Sequence, residues 1–208
     1  MPLTPPADAV IFDFDGVIID SRQPVETAIN GALLAHGFAP LSTAETARFI
    51  GPPALSAFAE LTGAAEDSEI VAAAVATYHD IFARVYLEQT QLIEGMPELL
   101  RSLTLPRALA TSKARQFVAP LLEHFGIEFA VVSAPVLDEP KAETVARAQR
   151  QLGARNPVVV GDRFYDIEAA RACGLRVIGV TWGIGDRHEL RDADVIVERP
   201  AELLALLA

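Results

Sequence analysis

The chain has 208 residues, 51% of them hydrophobic, with a formal net charge of −11 and one cysteine, Cys173. That content builds a packed core and excludes a disordered chain, while the acidic balance disfavours nucleic-acid polymers and anionic lipid surfaces as partners. No intrachain disulfide can form, the opening MPLTPPADAV lacks a basic or apolar leader pattern, and no apolar run is expected to reach bilayer length, so a cytoplasmic location is expected.

The first predicted element is a strand over 9–14, AVIFDF, which carries Asp13 and is followed at once by Asp15 and Gly16. Residues 23–89 then show no strand pattern. Val25, Ile29 and Leu33 recur every four residues, and Val71, Ala74, Tyr78, Ile81, Phe82 and Val85 make a longer stripe, so this stretch reads as a helical bundle inserted after the first strand. The chain returns through EGMPELL at 94–100. From there strands and helices alternate. Strands are expected at 108–111, 129–132, 157–161, 176–180 and 194–197. Helices are expected up to Gly126, from Lys141 to Leu152, up to Cys173 with Gly174 closing it, and from Pro200 onward. This alternation predicts an α/β fold with a parallel sheet buried by helices on both faces.

In such sheets ligands collect beyond the carboxyl ends of the strands. The polar residues predicted there are Asp13 and Asp15, then Thr111-Ser112-Lys113, then Lys141 at a helix start, then Asp162 and, four residues on, Asp166. Two carboxylates about 4 Å apart repel by roughly 4 kcal/mol at an effective dielectric near 20, and a phosphate dianion would worsen this. A divalent cation reverses the sign, and Mg2+ favours carboxylates, water and phosphate oxygen. Asp13, Asp162 and a phosphate oxygen would form its ligand shell, with Asp166 near a bound water. Lys141 and Thr111 would hold the remaining phosphoryl oxygens. On an extended strand Asp13 and Asp15 project to one side, so one can attack phosphorus while the other serves as acid and base. Gly16 would admit the phosphate close to the backbone.

Each of these residues has an ordinary reading as well. Asp15-Gly16 is a common turn signal, Asp162 stands where a helix N-cap is expected, and Asp166 suits a first-turn dipole partner. Lys113 also fits a solvated loop charge, Thr111 a plain strand residue, and Trp182-Gly183 a turn with a packed aromatic.

In order along the chain, DFDGVIIDS, ATSK, Lys141 and VGDRFYDIEAA resemble the motifs of the haloacid dehalogenase superfamily. FIGPPALSAF and WGIGDRHEL are similar to its phosphoglycolate phosphatase-like and nucleotidase-like subgroup. The resemblance spans essentially the whole chain. It implies a Rossmann-like three-layer core formed by residues 1–20 and 90–208, an α-helical cap at 21–89, and Mg2+-dependent phosphoryl transfer from a small phosphorylated metabolite. By position, Asp13 becomes the nucleophile and Asp15 the acid/base that also offers its backbone carbonyl to the metal. Thr111 and Lys141 bind phosphate, Asp162 is a metal ligand and Asp166 supports it. Gly16, Ser112 and Lys113 complete the expected phosphate site. The spacing departs from the family pattern in LRSLTLPRALATSK and in VLDEPKAE, both short, which leaves Lys113 open as a contact beside Lys141. A sugar phosphomutase and a non-catalytic binding protein on the same fold are the alternatives; Asp15 speaks against carbon–halogen hydrolysis.

Overall fold

The computed structural model describes residues 3–136 and 139–207. Leu137 and Asp138, within the short VLDEPKAE stretch, lie outside the described residues. The chain divides into two compact units, one of residues 1–20 with 92–208 and one of residues 21–91.

The first unit is an α/β sheet domain. Its strands are β1 (Val10–Phe12), β4 (Arg107–Ala110), β5 (Val131–Ser133), β6 (Val158–Gly161), β7 (Arg176–Val180) and β8 (Val195–Val197). They form a sheet in the order β5-β4-β1-β6-β7-β8, and each neighbouring pair is parallel. Val10, Ile11 and Phe12 stand opposite Arg107, Ala108 and Leu109 on one side and Val158, Val159 and Val160 on the other. Strands so flanked need apolar side chains on both faces, and Val10, Ile11, Phe12, Val158 and Val160 are fully buried. Two-residue strands β2 (Ile19–Asp20) and β3 (Gln91–Leu92) stand at the two ends of the insertion.

Helices α5 (Met96–Ser102), α6 (Arg115–Phe125), α7 (Lys141–Leu152), α8 (Phe164–Ala172) and α9 (Pro200–Leu207) surround the sheet. Helix α7 packs on β4, β5 and α8, while α9 joins β8 to α5. One apolar cluster joins Ile11, Ala108, Val159 and Val177 of the strands to Val145, Ala148, Ile167 and Ala170 of α7 and α8. Because β1 lies between β4 and β6, successive crossovers leave it in opposite directions, which opens a crevice at its carboxyl end.

The second unit holds α1 (Arg22–Ala35), α2 (Thr43–Thr46), a 3-10 turn (Ala47–Phe49), α3 (Ala54–Thr62) and α4 (Glu69–Gln89). Ser42 and Glu45 form a reciprocal capping box at the start of α2, and Ser68 caps α4 through the Val71 amide. The α1 stripe buries Val25, Ile29 and Leu33 as its spacing predicts. Tyr78, Phe82 and Tyr86 stack along α4 with ring centroids 5.9 and 5.6 Å apart, and Phe58 of α3 meets Tyr78 at 5.7 Å.

Two expectations are corrected. The first strand ends at Phe12 rather than Phe14, and the backbone bends at Phe14. The Phe14 carbonyl accepts from the amides of Ile18 and Ile19, which turns the chain back on itself. The expectation that no apolar run reaches bilayer length also fails. Helix α4 is long and apolar enough by length and composition, with an 18-residue window of mean hydropathy 1.3. Its buried residues Val71, Ala74, Phe82 and Tyr86 lie on a helix that packs along α1 and α3.

Candidate active site

Four loops at the carboxyl ends of β1, β4, β5 and β6 bring together the acidic and basic residues expected there. Asp13 continues β1 by one hydrogen bond, its amide donating to the Val160 carbonyl at 2.9 Å. Asp162 follows β6, and Asp166 sits in the first turn of α8. All three are buried, Asp162 and Asp166 completely. An oxygen from each lies within 4.8 Å of the others. Lys141, at the first position of α7, reaches into this cluster, with Nζ 2.8 Å from Asp13 Oδ1 and 2.5 Å from Asp166 Oδ1.

Three carboxylates against one ammonium leave two negative charges unmatched in a buried site. The ionisation of the cluster reflects this. Burial, and then the charges of Asp166 and Asp162, push Asp13 well above the usual carboxylate range although Lys141 pulls the other way. Burial and the Asp166 charge push Asp162 up to about 7, against the bond from the Ile184 amide. Burial works to discharge Lys141, but Asp13 and Asp166 more than offset it and hold the ammonium above its ordinary range.

The oxygens of Asp162 have different surroundings. Oδ2 accepts from the Ile184 amide at 2.6 Å. Oδ1 is buried without a hydrogen-bond partner. A buried carboxylate oxygen so placed costs several kcal/mol unless a cation meets it. Glycines let the backbone come this close. Gly16 has φ +80°, and a Cβ on Gly16 or Gly183 would overlap the Asp162 carboxylate. An oxygen donor set, an orphaned oxygen and two unmatched charges fit a divalent hard cation.

The remaining expected residues divide. Asp15 lies in the bend after Phe14, and its Oδ1 is 3.0 Å from Lys113 Nζ; the clustered carboxylates are those of Asp13, Asp162 and Asp166. The notion of two carboxylates on one extended strand therefore gives way to a bent loop. Lys113 is largely shielded and ion-paired, not a solvated loop charge. Thr111 is fully buried just past β4, and its Oγ1 accepts from the Lys113 amide at 3.0 Å. Ser112 is exposed beside it. The N-cap of α8 is Arg163, not Asp162. Asp166 supplies the capping, its Oδ2 accepting from the amides of Asp162 and Arg163 at 3.0 Å each. The sequence reads Trp182-Gly183 as a turn with a packed aromatic; the approach of residues 183–185 to Asp162 escapes that reading, and the glycine spacing in WGIG after β7 is the signal available.

Residues 10–180 match the family model described as haloacid dehalogenase-like hydrolase. The chain belongs to this family. Among its relatives, a 5'-nucleotidase from Pseudomonas aeruginosa is 31% identical over 194 residues, covering 88% of this chain and 86% of that protein. A phosphoglycolate phosphatase from Synechococcus elongatus is 31% identical over 215 residues, covering 94% and 95%. Among solved structures, a predicted phosphatase from Clostridium acetobutylicum superposes with a TM-score of 0.88 at 28% identity, over 96% of this chain and 97% of that one.

Proposed function

We propose that this haloacid dehalogenase-like hydrolase is a Mg2+-dependent phosphatase that hydrolyses a small phosphate monoester, phosphoglycolate- or nucleotide-like, through an aspartyl-phosphate. The carrying observation is the buried cluster of Asp13, Asp162 and Asp166 around one lysine, with an oxygen of Asp162 left unpartnered. The phosphatase and nucleotidase names of its relatives support the substrate class.

Asp13, Asp162 and the Asp15 backbone carbonyl would hold the cation, with Asp166 in support. When bound, Mg2+ supplies positive charge that relieves the carboxylates and draws in phosphoryl oxygen. An oxygen of Asp13 attacks phosphorus and the bond to the leaving oxygen breaks. Asp15 gives that oxygen a proton, then takes one from the water that cleaves the acyl phosphate and restores Asp13. Lys141, Thr111, Ser112 and Lys113 bind the phosphoryl oxygens, and the lysines offset their charge as it develops. We assign residues 21–89 the part of a cap that selects the leaving group. The single cysteine and the net charge of −11 accord with a cytoplasmic enzyme acting on a metabolite rather than on a polymer or membrane.

The test is phosphate release from an aryl phosphate and a panel of metabolite phosphates, with Mg2+ and with EDTA. Turnover should require Mg2+ and return when it is added back. Equal turnover in EDTA would overturn the reading.

A further inference from the structure

The loop between β7 and β8 makes three approaches to the Asp162 residue. The Ile184 amide donates to Oδ2, Gly183 lies against the carboxylate, and Gly185 lies against the Asp162 carbonyl. Residues 181–190 contain no helix or strand, and anchoring side chains add to the loop's few backbone bonds in setting its position. One is Leu190, fully buried in the apolar cluster with Ile167 and Val177. Another is Glu189. Its Oε2 lies 2.8 Å from Arg163 Nε and 3.5 Å from the Phe164 amide, so it reaches back to the start of α8. The Glu189 amide donates to Asp186 Oδ1 at 2.9 Å, which ties residues 186–189 into a turn. Arg163 in turn donates its own amide to Asp166, and its Cδ would lie 3.0 Å from a Cβ on Gly185.

The pair is shielded, with Arg163 and Glu189 side chains 11% and 28% exposed, whereas Arg187 and Glu198, paired from the same loop, are each 64% exposed. Exposed pairs contribute little, while shielded, charge-assisted ones hold geometry.

We infer that Glu189 is a positioning residue for the cation site: through Arg163 it latches the 183–189 loop across the start of α8 and keeps Asp162 Oδ2 engaged by the Ile184 amide, leaving Oδ1 for the metal. The inference rests on the reading of Asp162 as a Mg2+ ligand. Releasing the latch lets the Ile184 amide withdraw and Asp162 rotate. Partners that orient a metal ligand from behind are worth about 10- to 100-fold in affinity.

Calorimetric titration of the full chain with MgCl2 tests this without turnover. Glu189→Ala should bind Mg2+ about 10-fold more weakly or worse, while the melting midpoint of the EDTA-treated protein stays near that of the parent. Glu189→Gln keeps an acceptor for Arg163 and should recover most of the affinity. Arg163→Ala should lose as much as Glu189→Ala, and the double variant no more than either. Arg187→Ala, on the exposed pair, should bind as the parent does. Should Glu189→Ala not fold, Arg163→Lys, which keeps charge but loses the fork, is expected to show an intermediate loss. Parent-like affinity in the Glu189 and Arg163 variants, or losses that add in the double variant, would overturn the latch. A parent that binds no Mg2+ would instead overturn the metal reading beneath it.

Discussion

The two units bury different polar groups. Among the described residues, the helical unit buries hydroxyls alone, at Ser21, Thr46 and Thr90, whereas the sheet unit buries three carboxylates beside the hydroxyls of Thr111, Ser133 and Thr144. Thr46 is satisfied within its own turn, donating to the carbonyls of Ser42 and Thr43 at 3.2 and 2.9 Å, so its burial costs little. Asp13, Asp162 and Asp166 are drawn together against their mutual repulsion and held by groups far apart in the chain. One unit is arranged for packing. The other stores electrostatic cost at a single edge, as sites tuned for chemistry do.

Substitutions should therefore change activity and stability differently in the two units. Asp13→Asn should lower phosphate release on the order of 10^4-fold or more, since it removes the proposed attacking group, with the fold intact by circular dichroism. Equal turnover would erase the distinction altogether. Phe58→Ala, in the helical unit, should lower unfolding free energy by about 3–5 kcal/mol in denaturant titration, because a fully buried ring against Tyr78 is lost. Asp162→Asn should do the reverse in EDTA and raise stability by about 1–3 kcal/mol, since a buried charge is removed, while Mg2+-dependent turnover falls. A loss of stability there would show that the carboxylate cluster is a packing device after all.

The smallest effect concerns an ordinary surface pair and calibrates the others. Arg171 holds Asp194 by two hydrogen bonds of 3.0 and 3.1 Å, and the Val177 amide adds one of 2.7 Å. Burial opposes ionisation of Asp194, but these donors hold its carboxyl below the ordinary value of 3.8. A depressed carboxyl stabilises the fold above its unfolded pKa and loses that contribution as pH falls through the folded one. Asp194→Asn should therefore lower stability by roughly 0.5–1 kcal/mol at neutral pH, given the solvent screening at this half-exposed site. The gap from the parent should close as the pH drops below about 3.8. Thermal melts over a pH series would measure it.

Much of this arrangement was legible from residue pattern. The apolar runs at 108–111, 157–161 and 176–180 match β4, β6 and β7 within a residue, and Lys141 to Leu152 is the extent of α7. Strand-end carboxylates stood out because Asp is costly inside an apolar run. What escaped the pattern was long-range. The partner of Asp15 is Lys113, and the donor that fixes Asp162 is Ile184, 22 residues further on. Neither periodicity nor propensity reports on contacts made by irregular loops, and an i, i+2 argument fails once the strand stops at Phe12.

The amino-acid order alone determined which segments alternate as strand and helix, and that acidic groups would gather at the carboxyl edge of the sheet, because burial period and desolvation cost are local properties of the chain. Only the tertiary structure decided which oxygen of each carboxylate is engaged and which is left open. That choice depends on where the 183–189 loop and the start of α7 come to rest, and their positions are set by packing between distant elements.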